Sequence, residues 1–262
     1  MALHYQHLRN ATAKITYAGV TFLVDPFLAE KESFDGFPGT VNSHLRNPMT
    51  ALPERIEQIV SGIDAVLLTH THLDHWDEAA QNAIPKALPV LVQNAGDAGL
   101  LRSQGFENVM LIGKQTEFQG VKLTRTDGQH GSDQMYSIPQ LAEILGDAMG
   151  VVFQAENEKT LYLVGDTIWN EEVELALNRY QPDVIVMNTG CAKLEGFPDG
   201  IIFGTDDVAK MAATMPNAQI ITVHMDAVNH CTVSSEDMRT FLQAKRLESR
   251  VSVPKEGELL KY

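Results

Sequence analysis

The 262-residue sequence is long enough to bury a sizeable α/β core, and we expect one domain over residues 1–262. Hydrophobic residues make up 44% of the chain and charged residues 21%, an ordinary balance for a globular protein. The formal net charge of −14 would repel phosphate backbones, which argues against nucleic acid as a partner.

Three further features bear on where the protein works. Its two cysteines, Cys191 and Cys231, give no disulfide framework and fit a reducing cytoplasm. The first residues contain no basic region followed by an apolar run, so we expect no signal peptide. No apolar run approaches the roughly 20 residues of a membrane span. These features predict a cytoplasmic protein without a membrane span, and they leave open whether it forms a homo-oligomer.

Hydrophobic periodicity and turn residues predict strands and helices along the whole chain. Residues 13–17 and 20–24 surround Gly19 and are predicted to form a hairpin. The other predicted strands are 65–68, 89–93, 108–112, 115–119, 121–126, 151–154, 161–164, 184–187 and 219–223. The predicted helices are 53–61, 77–86, 94–104, 171–179, 206–215 and 234–248. Thr205 and Ser234 are the predicted N-caps of the last two helices.

Two long stretches, 27–52 and 131–147, show little periodicity, apart from a helical turn predicted near 140–145. Long loops in compact domains tend to be functional. Because loops on a rigid scaffold usually carry specificity, we expect both stretches to wall a substrate pocket.

Polar residues follow several of the predicted strands. They are Asp25, His70, Asp166, Asn188 and His224. Open α/β sheets place their sites at the carboxyl ends of their strands, so this pattern predicts a site assembled from several strand ends. The periodicity itself indicates only the α/β class.

The densest cluster of chemistry-bearing residues is 69–77, Thr-His-Thr-His-Leu-Asp-His-Trp-Asp. In an extended segment His70 and His72 point to one side, and Asp74 and His75 can curl back from the following turn. Imidazole and carboxylate groups suit zinc, iron or manganese better than calcium. A lone His-x-His pair is often chance, but four potential ligands within six residues would be costly without a shared partner.

The pattern His-x-His-x-Asp-His resembles the signature of the metallo-β-lactamase superfamily. The superfamily also has a third histidine, an aspartate and a last histidine in that order, and His130, Asp166 and His224 match them. The early Asp25-Pro26 and the spacing from His224 to His230 are similar to the branch of ascorbate-phosphate lactonases and phospholipase-D-like hydrolases. The resemblance spans about residues 13–230. It implies a four-layer αββα sandwich with metals at one edge.

The resemblance also implies roles for these residues. The implied ligands are His70, His72 and His130 for one metal ion, Asp74, His75 and His224 for a second, and Asp166 between them. Two divalent ions per chain, zinc first with manganese or iron as alternatives, would share a hydroxide that attacks a small ester or lactone. Asp74 would also orient this hydroxide as a catalytic residue. His230 would lie in the pocket and donate a hydrogen bond or a proton to the leaving group.

Residues outside this ligand set have less certain roles. Asp25 is interpreted as orienting a histidine through its free ring N–H rather than as a ligand. Asp77 either does the same or only supplies the acidic first turn of its helix, while Trp76 and Trp169 either wall the pocket or pack in the core.

Taken without the other ligands, His130 could be an ordinary loop histidine and Asp166 a turn residue. Cys231 is interpreted as a packed thiol and His44 as having no role. His4 and His7 are expected to be incidental, near a mobile terminus.

Two other functions stay open at this point. One is a phosphodiesterase or phospholipase-D-like hydrolase. The other is a non-hydrolytic metal-binding or redox protein. Oxygen-reducing members of the superfamily carry a glutamate in the cluster and an attached flavin domain, and this sequence shows neither, so hydrolysis is favoured.

Overall fold

Strands from both halves of the chain form two sheets of seven strands each in the computed structural model, which describes residues 3–262. The expectation of no signal peptide falls partly on residues 1–2, outside the described residues. The strands are β1 His4–Arg9, β2 Thr12–Tyr17, β3 Val20–Val24, β4 Ala65–Leu67, β5 Val90–Val92, β6 Val109–Leu111, β7 Thr116–Phe118, β8 Val121–Thr126, β9 Gly150–Gln154, β10 Leu161–Leu163, β11 Val184–Asn188, β12 Gln219–Val223, β13 Val251–Ser252 and β14 Leu259–Lys261. The strand orders are β14-β1-β2-β3-β4-β5-β6 and β13-β12-β11-β10-β9-β8-β7.

Each sheet is parallel in one half and antiparallel in the other. Strands β3 to β6 run parallel, as do β10 to β13. Parallel neighbours need a crossover, and helices supply it here. The helices are α1 Ile56–Ile59, α2 Glu78–Ala83, α3 Ala95–Ser103, α4 Asp133–Tyr136, α5 Pro139–Leu145, α6 Glu171–Tyr180, α7 Thr205–Thr214 and α8 Ser235–Lys245.

Three apolar clusters define four layers. One fills the space between the sheets, where the rings of Phe22 and Phe153 meet edge to face at 5.4 Å. A second packs α1 to α3 on the outer face of the first sheet, and a third packs α6 to α8 on that of the second. The αββα sandwich predicted from the sequence is therefore confirmed.

The N-terminal segment differs from the prediction of a mobile terminus, which was wrong. Strand β1 pairs with both β2 and β14, and His7 on it is buried. This strand was not predicted from the sequence because its histidines and Gln6 interrupt the apolar alternation. In addition, its partner β14 lies at the far end of the chain, and β13 and β14 were not predicted.

Several element ends also differ. Helix α1 begins at Ile56, beyond Pro53, and α8 ends at Lys245 because Arg246 adopts a left-handed conformation with φ +57°. The N-cap of α7 is Gly204 rather than Thr205, whereas Ser234 caps α8 as predicted. The stretch 131–147 is more regular than expected, since it contains α4 and α5.

Arg9, on β1, links the irregular stretch 27–52 to the first sheet through hydrogen bonds. Its side chain is 0% exposed, and its guanidinium donates to the carbonyl oxygens of Thr50 and Phe27 and lies 4.5 Å from the centre of the Phe27 ring. Burial lowers the pKa of Arg9 to about 10, although Asp77 and Glu256 act in the opposite direction. The group therefore stays charged at neutral pH.

We expect Arg9→Met to lower the free energy of unfolding by about 1–3 kcal/mol, because one buried and one partly buried carbonyl group would lose their donor. Urea denaturation monitored by circular dichroism measures this change. Arg102→Met is the matched control, since the exposed Arg102 also donates to a carbonyl, that of Val109. Its effect should stay within about 0.5 kcal/mol. Equal losses in the two variants would contradict the role given to Arg9.

Candidate metal centre

The predicted site residues lie at one edge of the sandwich because parallel strands end there side by side. Asp25 follows β3, Thr69 and His70 follow β4, Asp166 follows β10, and His224 follows β12. Two of these residues have a left-handed backbone conformation just after their strands, Asp25 with φ +42° and His224 with φ +64°. Such conformations are uncommon outside glycine and concentrate at functional sites.

All seven predicted ligands come together at this edge. Their donor atoms form three groups, each within 4.8 Å: His70, His72 and His130; His70, His75 and Asp166; and Asp74, His75 and His224. The backbone amide of His75 donates to the carbonyl of His72 at 2.9 Å, so the turn after the strand folds back as predicted.

Asp166 lies between the histidines of both sets. Its Oδ2 is 3.3 Å from His75 Nε2, and it faces three other imidazole Nε2 atoms, those of His224 at 3.6 Å, His130 at 3.7 Å and His70 at 3.9 Å. Its Oδ1 accepts a hydrogen bond from Asn188 Nδ2 at 2.5 Å. One carboxylate therefore contacts both proposed halves of the centre.

Each of the five histidines has one ring nitrogen engaged outside the cluster. The pairs are His70 Nδ1 with Thr69 Oγ1 at 3.0 Å, His72 Nε2 with the Ile144 carbonyl at 2.8 Å, His75 Nδ1 with Asp25 Oδ2 at 2.9 Å, His130 Nδ1 with the Ile201 carbonyl at 3.0 Å, and His224 Nδ1 with Cys231 Sγ at 3.6 Å. Metal-ligating histidines typically use their second nitrogen in this way, which orients the ring and leaves the other nitrogen for the metal.

The inner nitrogens fit a metal better than they fit one another. His70 Nε2 is buried without a hydrogen-bond partner, and His75 Nε2 lies only 3.2 Å from His224 Nε2. A buried polar atom without a partner costs roughly 1–3 kcal/mol. Nitrogen and carboxylate donors are the set that zinc, iron and manganese accept, so these residues fit divalent metal ions.

The charges of the cluster also favour divalent metal ions. Burial would raise the pKa values of Asp74 and Asp166, but His75 and His224 lower both well below the usual range. Burial lowers the pKa of His130 to about 4, so its ring is neutral, as a metal ligand must be.

His75 shows the demand for positive charge directly. Burial would lower its pKa, yet Asp166, Asp25 and Asp74 raise it to about 10. The carboxylates therefore hold a proton where a metal cation can replace it.

Asp25 is placed as predicted for a residue that orients the cluster. Its Oδ2 accepts from His75 Nδ1 and from Thr69 Oγ1 at 2.7 Å, and its Oδ1 accepts from the Thr69 amide at 2.8 Å. Asp77 lies instead at the N-cap of α2. There its carboxylate accepts from the amides of Ala80 at 2.7 Å and Ala29 at 2.6 Å, and none of its described hydrogen bonds goes to a histidine.

Two asparagines of the site received no role from the sequence: Asn188 was noted only as a polar residue at a strand end, and Asn10 was missed. Asn188 holds Asp166, and its position at a strand end was the signal that could have assigned it. Asn10 lies in the β1–β2 turn, where its Nδ2 is 3.3 Å from Asp74 Oδ2 and 3.2 Å from His224 Nε2. No local pattern singled out Asn10, because its contacts lie 64 and 214 residues away.

A cavity of about 510 Å³ opens beside the cluster. Its apolar lining residues are Phe37, Pro38, Leu73, Leu141, Ile144, Leu145, Leu194 and Ile201. Its polar lining residues are Thr40, His72, Asp74, His130, Asp166 and His230. Both irregular stretches contribute to this wall, and its described lining residues include no lysine or arginine. The size suits a small organic molecule.

His230 lies in the cavity wall, where its ring meets that of Phe37 edge to face at 5.1 Å. Burial lowers the pKa of His230 to about 4, so the ring is neutral at pH 7. Its Nδ1 is buried without a hydrogen-bond partner in the structure.

Other residues weighed from the sequence lie away from this cavity. Trp76 packs against Phe106 at 5.4 Å in the core beneath the helices, and His44 is exposed. Trp169 packs against Phe203 at 6.2 Å and lines a separate cavity. Core packing is thus supported for Trp76, whereas Trp169 is half-buried at the edge of the cluster beneath α6 to α8. Among residues 3–262, no helix combines the length and the apolar character needed to cross a membrane.

Comparison with known proteins agrees with this geometry. The family model described as a beta-lactamase superfamily domain matches residues 21–225. The chain is 40% identical to UPF0173 protein YddR of Bacillus subtilis, over 98% of both chains. Relatives at 26–30% identity carry the name UPF0173 metal-dependent hydrolase.

Two solved structures are similar over 99% of both chains. A possible metal-dependent hydrolase from Veillonella parvula has a TM-score of 0.98 and 50% identity. An isothiocyanate hydrolase from Delia radicum gut bacteria has a TM-score of 0.96 and 43% identity. The narrower resemblance to ascorbate-phosphate lactonases stays a prediction. The chain belongs to the beta-lactamase superfamily and is a metal-dependent hydrolase of the UPF0173 family.

Proposed function

We propose that this chain hydrolyses a small uncharged molecule at an electrophilic carbon, with an isothiocyanate as the first candidate. One observation carries the proposal: a cluster of seven potential metal ligands opens onto a cavity with mostly apolar walls. We also propose that residues 1–262 act as one domain, because β1 and β14 from opposite ends of the chain pair in the same sheet.

The proposed ligand sets are those expected from the sequence. The first is His70, His72 and His130, the second is Asp74, His75 and His224, and Asp166 joins the two. A pair of divalent ions bound there would lower the pKa of water from 15.7 to about 7 and so supply a nucleophile at neutral pH. Zinc is the first choice, with manganese or iron as alternatives.

The cavity supports a neutral substrate. A phosphodiester would bring a negative charge that the metal ions alone would have to offset, because the described lining residues include no lysine or arginine. An isothiocyanate is uncharged and carries an organic group that the apolar wall can accept. The relative with 43% identity is described as an isothiocyanate hydrolase. Small lactones and carboxylic esters are the second candidate, since they are also neutral and react at a carbon.

The reaction balances with one water molecule. The water oxygen bonds to the central carbon of R–N=C=S, and the nitrogen takes a proton to give a thiocarbamate. The second water proton then moves from oxygen to nitrogen as the C–N bond breaks, which releases a primary amine and carbonyl sulfide.

Two side chains are proposed to act directly in this reaction. Asp74, ionised and lining the cavity, accepts a hydrogen bond from the attacking water and orients it. His230, neutral, donates a hydrogen bond to the substrate atom on which negative charge develops.

Substrate class is tested with a panel that contains benzyl isothiocyanate, γ-valerolactone and bis(p-nitrophenyl) phosphate. We expect the isothiocyanate to be hydrolysed fastest, with one amine formed per molecule consumed, because most of the cavity wall is apolar. Dialysis against a chelator should abolish the activity, and added zinc, manganese or iron should restore it. Preferential hydrolysis of the phosphodiester would refute the proposed substrate class.

Asp74→Asn should lower kcat by about 10²-fold or more, because the amide is nearly isosteric but loses the charge that orients the water. Circular dichroism should show that the fold is kept. Asp127→Asn is the control, since Asp127 lies on the surface and pairs with Arg125 at 3.1 Å. Near-normal turnover in Asp74→Asn would remove this residue from the mechanism.

The last two histidines are separable by experiment. His224→Ala should lower bound metal from about two ions per chain towards one, because the three-histidine set stays intact. His230→Ala should keep both ions and lose turnover by roughly 10²–10⁴, the range for a positioned acid or base. Elemental analysis and rate measurements give independent readouts. Loss of a metal in His230→Ala with both kept in His224→Ala would reverse the two assignments.

A further inference from the structure

Asn229 uses the full hydrogen-bonding capacity of its side chain to hold one segment of the cavity wall. Its Oδ1 accepts from the Phe37 amide at 3.0 Å and from Asn47 Nδ2 at 2.9 Å. Its Nδ2 donates to Thr40 Oγ1 at 2.9 Å and to the Val41 carbonyl at 2.8 Å. A primary amide has two donor hydrogens and two acceptor sites, and here all four are occupied.

Asn47 completes the arrangement from the other side. Its Oδ1 accepts from the Asn229 backbone amide at 2.9 Å, so the two asparagines are bonded reciprocally. Both are buried, at 1% exposure for Asn229 and 0% for Asn47. We call the hydrogen bonds of the Asn229 side chain with residues 37–47, together with the bond from its backbone amide to Asn47, the Asn229 clasp.

The clasp acts on a segment with little regular structure of its own. Between residues 34 and 47 the described backbone forms only isolated bridges, Phe34 with Asn47 and Thr40 with Leu194. Most of residues 42–46 are exposed. Such a segment takes its shape from side-chain contacts rather than from a ladder of backbone hydrogen bonds.

The residues that the clasp holds line the cavity. Phe37, Pro38, Gly39 and Thr40 line it, and so does His230, the residue that follows Asn229. The Phe37 ring also contacts the His230 ring. A single buried amide therefore connects the apolar wall to the residue proposed to contact the substrate.

We propose that Asn229 is a positioning residue that sets the shape of the cavity, and with it the preferred size of the organic group of the substrate. The statement on size rests on the proposed function. The statement on shape does not, since it follows from the hydrogen bonds alone.

Hydrogen–deuterium exchange of the metal-loaded protein tests the clasp without any substrate. In Asn229→Ala, amides of residues 34–47 should exchange at least about tenfold faster, because all four hydrogen bonds of the Asn229 side chain are lost. Peptides from β11 and β12 should be unchanged, and metal content should stay at the level of the unaltered protein. Unchanged exchange over residues 34–47 would overturn the proposal.

Two further variants sharpen the test. Asn47→Ala removes one partner of the Asn229 side chain, and Asn47 itself is absent from the cavity lining. Amides of residues 34–47 should again exchange faster, so this variant keeps the proposal testable if Asn229→Ala does not fold. Asn42→Asp is the matched control, because Asp tolerates the left-handed backbone of Asn42 at φ +55°. The change removes the side-chain hydrogen bond from Asn42 to the Asn229 carbonyl, at 3.3 Å, but keeps the Asn229 side chain and should leave exchange and kinetics unaltered.

The effect on specificity is read from KM across a series of isothiocyanates from methyl to naphthyl. Asn229→Ala and Asn47→Ala should raise KM about tenfold for the best substrate and flatten the size preference, with a smaller change in kcat. A purely structural role would lower the amount of active protein and leave the KM profile unchanged, which would overturn the proposal. Absence of isothiocyanate turnover in the unaltered protein would refute the proposed function instead, and the exchange experiment would still decide the clasp.

Discussion

The buried carboxylate of Asp166 is the constraint on which the rest of the site depends. It is 3% exposed, and its Oδ2 faces imidazole nitrogens from four different histidines. Removing a charge from water is costly unless cations and hydrogen-bond donors compensate for it. Asn188 supplies one donor, and the remaining compensation requires positive charge. The same requirement raises the pKa of His75 to about 10 despite its burial. Metal cations meet this requirement without holding protons on the ligands.

The sandwich can meet this constraint because each histidine is held both by its own backbone and by a contact to its second ring nitrogen. Parallel strands deliver the side chains to one edge, and neighbours outside the cluster engage the second ring nitrogen of each histidine. One of those neighbours also belongs to the cavity wall. The Ile144 carbonyl that bonds His72 belongs to α5, whose Ile144 side chain also lines the cavity. The orientation of one proposed ligand is thereby linked to a wall of the substrate site.

The sequence predicted what is encoded locally and missed what long-range contacts create. His70, His72, Asp74 and His75 stand within six residues, and Asp166 and His224 follow apolar runs, so strand ends and spacing were enough to find them. The fold class was also predictable from local patterns, and the structure confirms it. The roles of Asn10 and Asn229 depend on partners as many as 214 and 192 residues away, which no local pattern signals. Strand β1 escaped prediction because its partner β14 lies at the other end of the chain.

Electrostatics and cavity shape favour the same kind of substrate. The chain carries a net charge of −14, and the cavity adds Asp74 and Asp166 without a lysine or arginine among its described lining residues. A bound anion would rely on the metal ions alone for compensation. A neutral molecule avoids this cost and gains from burying its organic group, at roughly 25 cal/mol per Å² of apolar surface. His230 suits such a substrate because, being neutral, it can donate a hydrogen bond without adding a charge that must be buried. The acidic edge therefore suits the metal ions, and the apolar wall beside it favours a neutral substrate with an organic group.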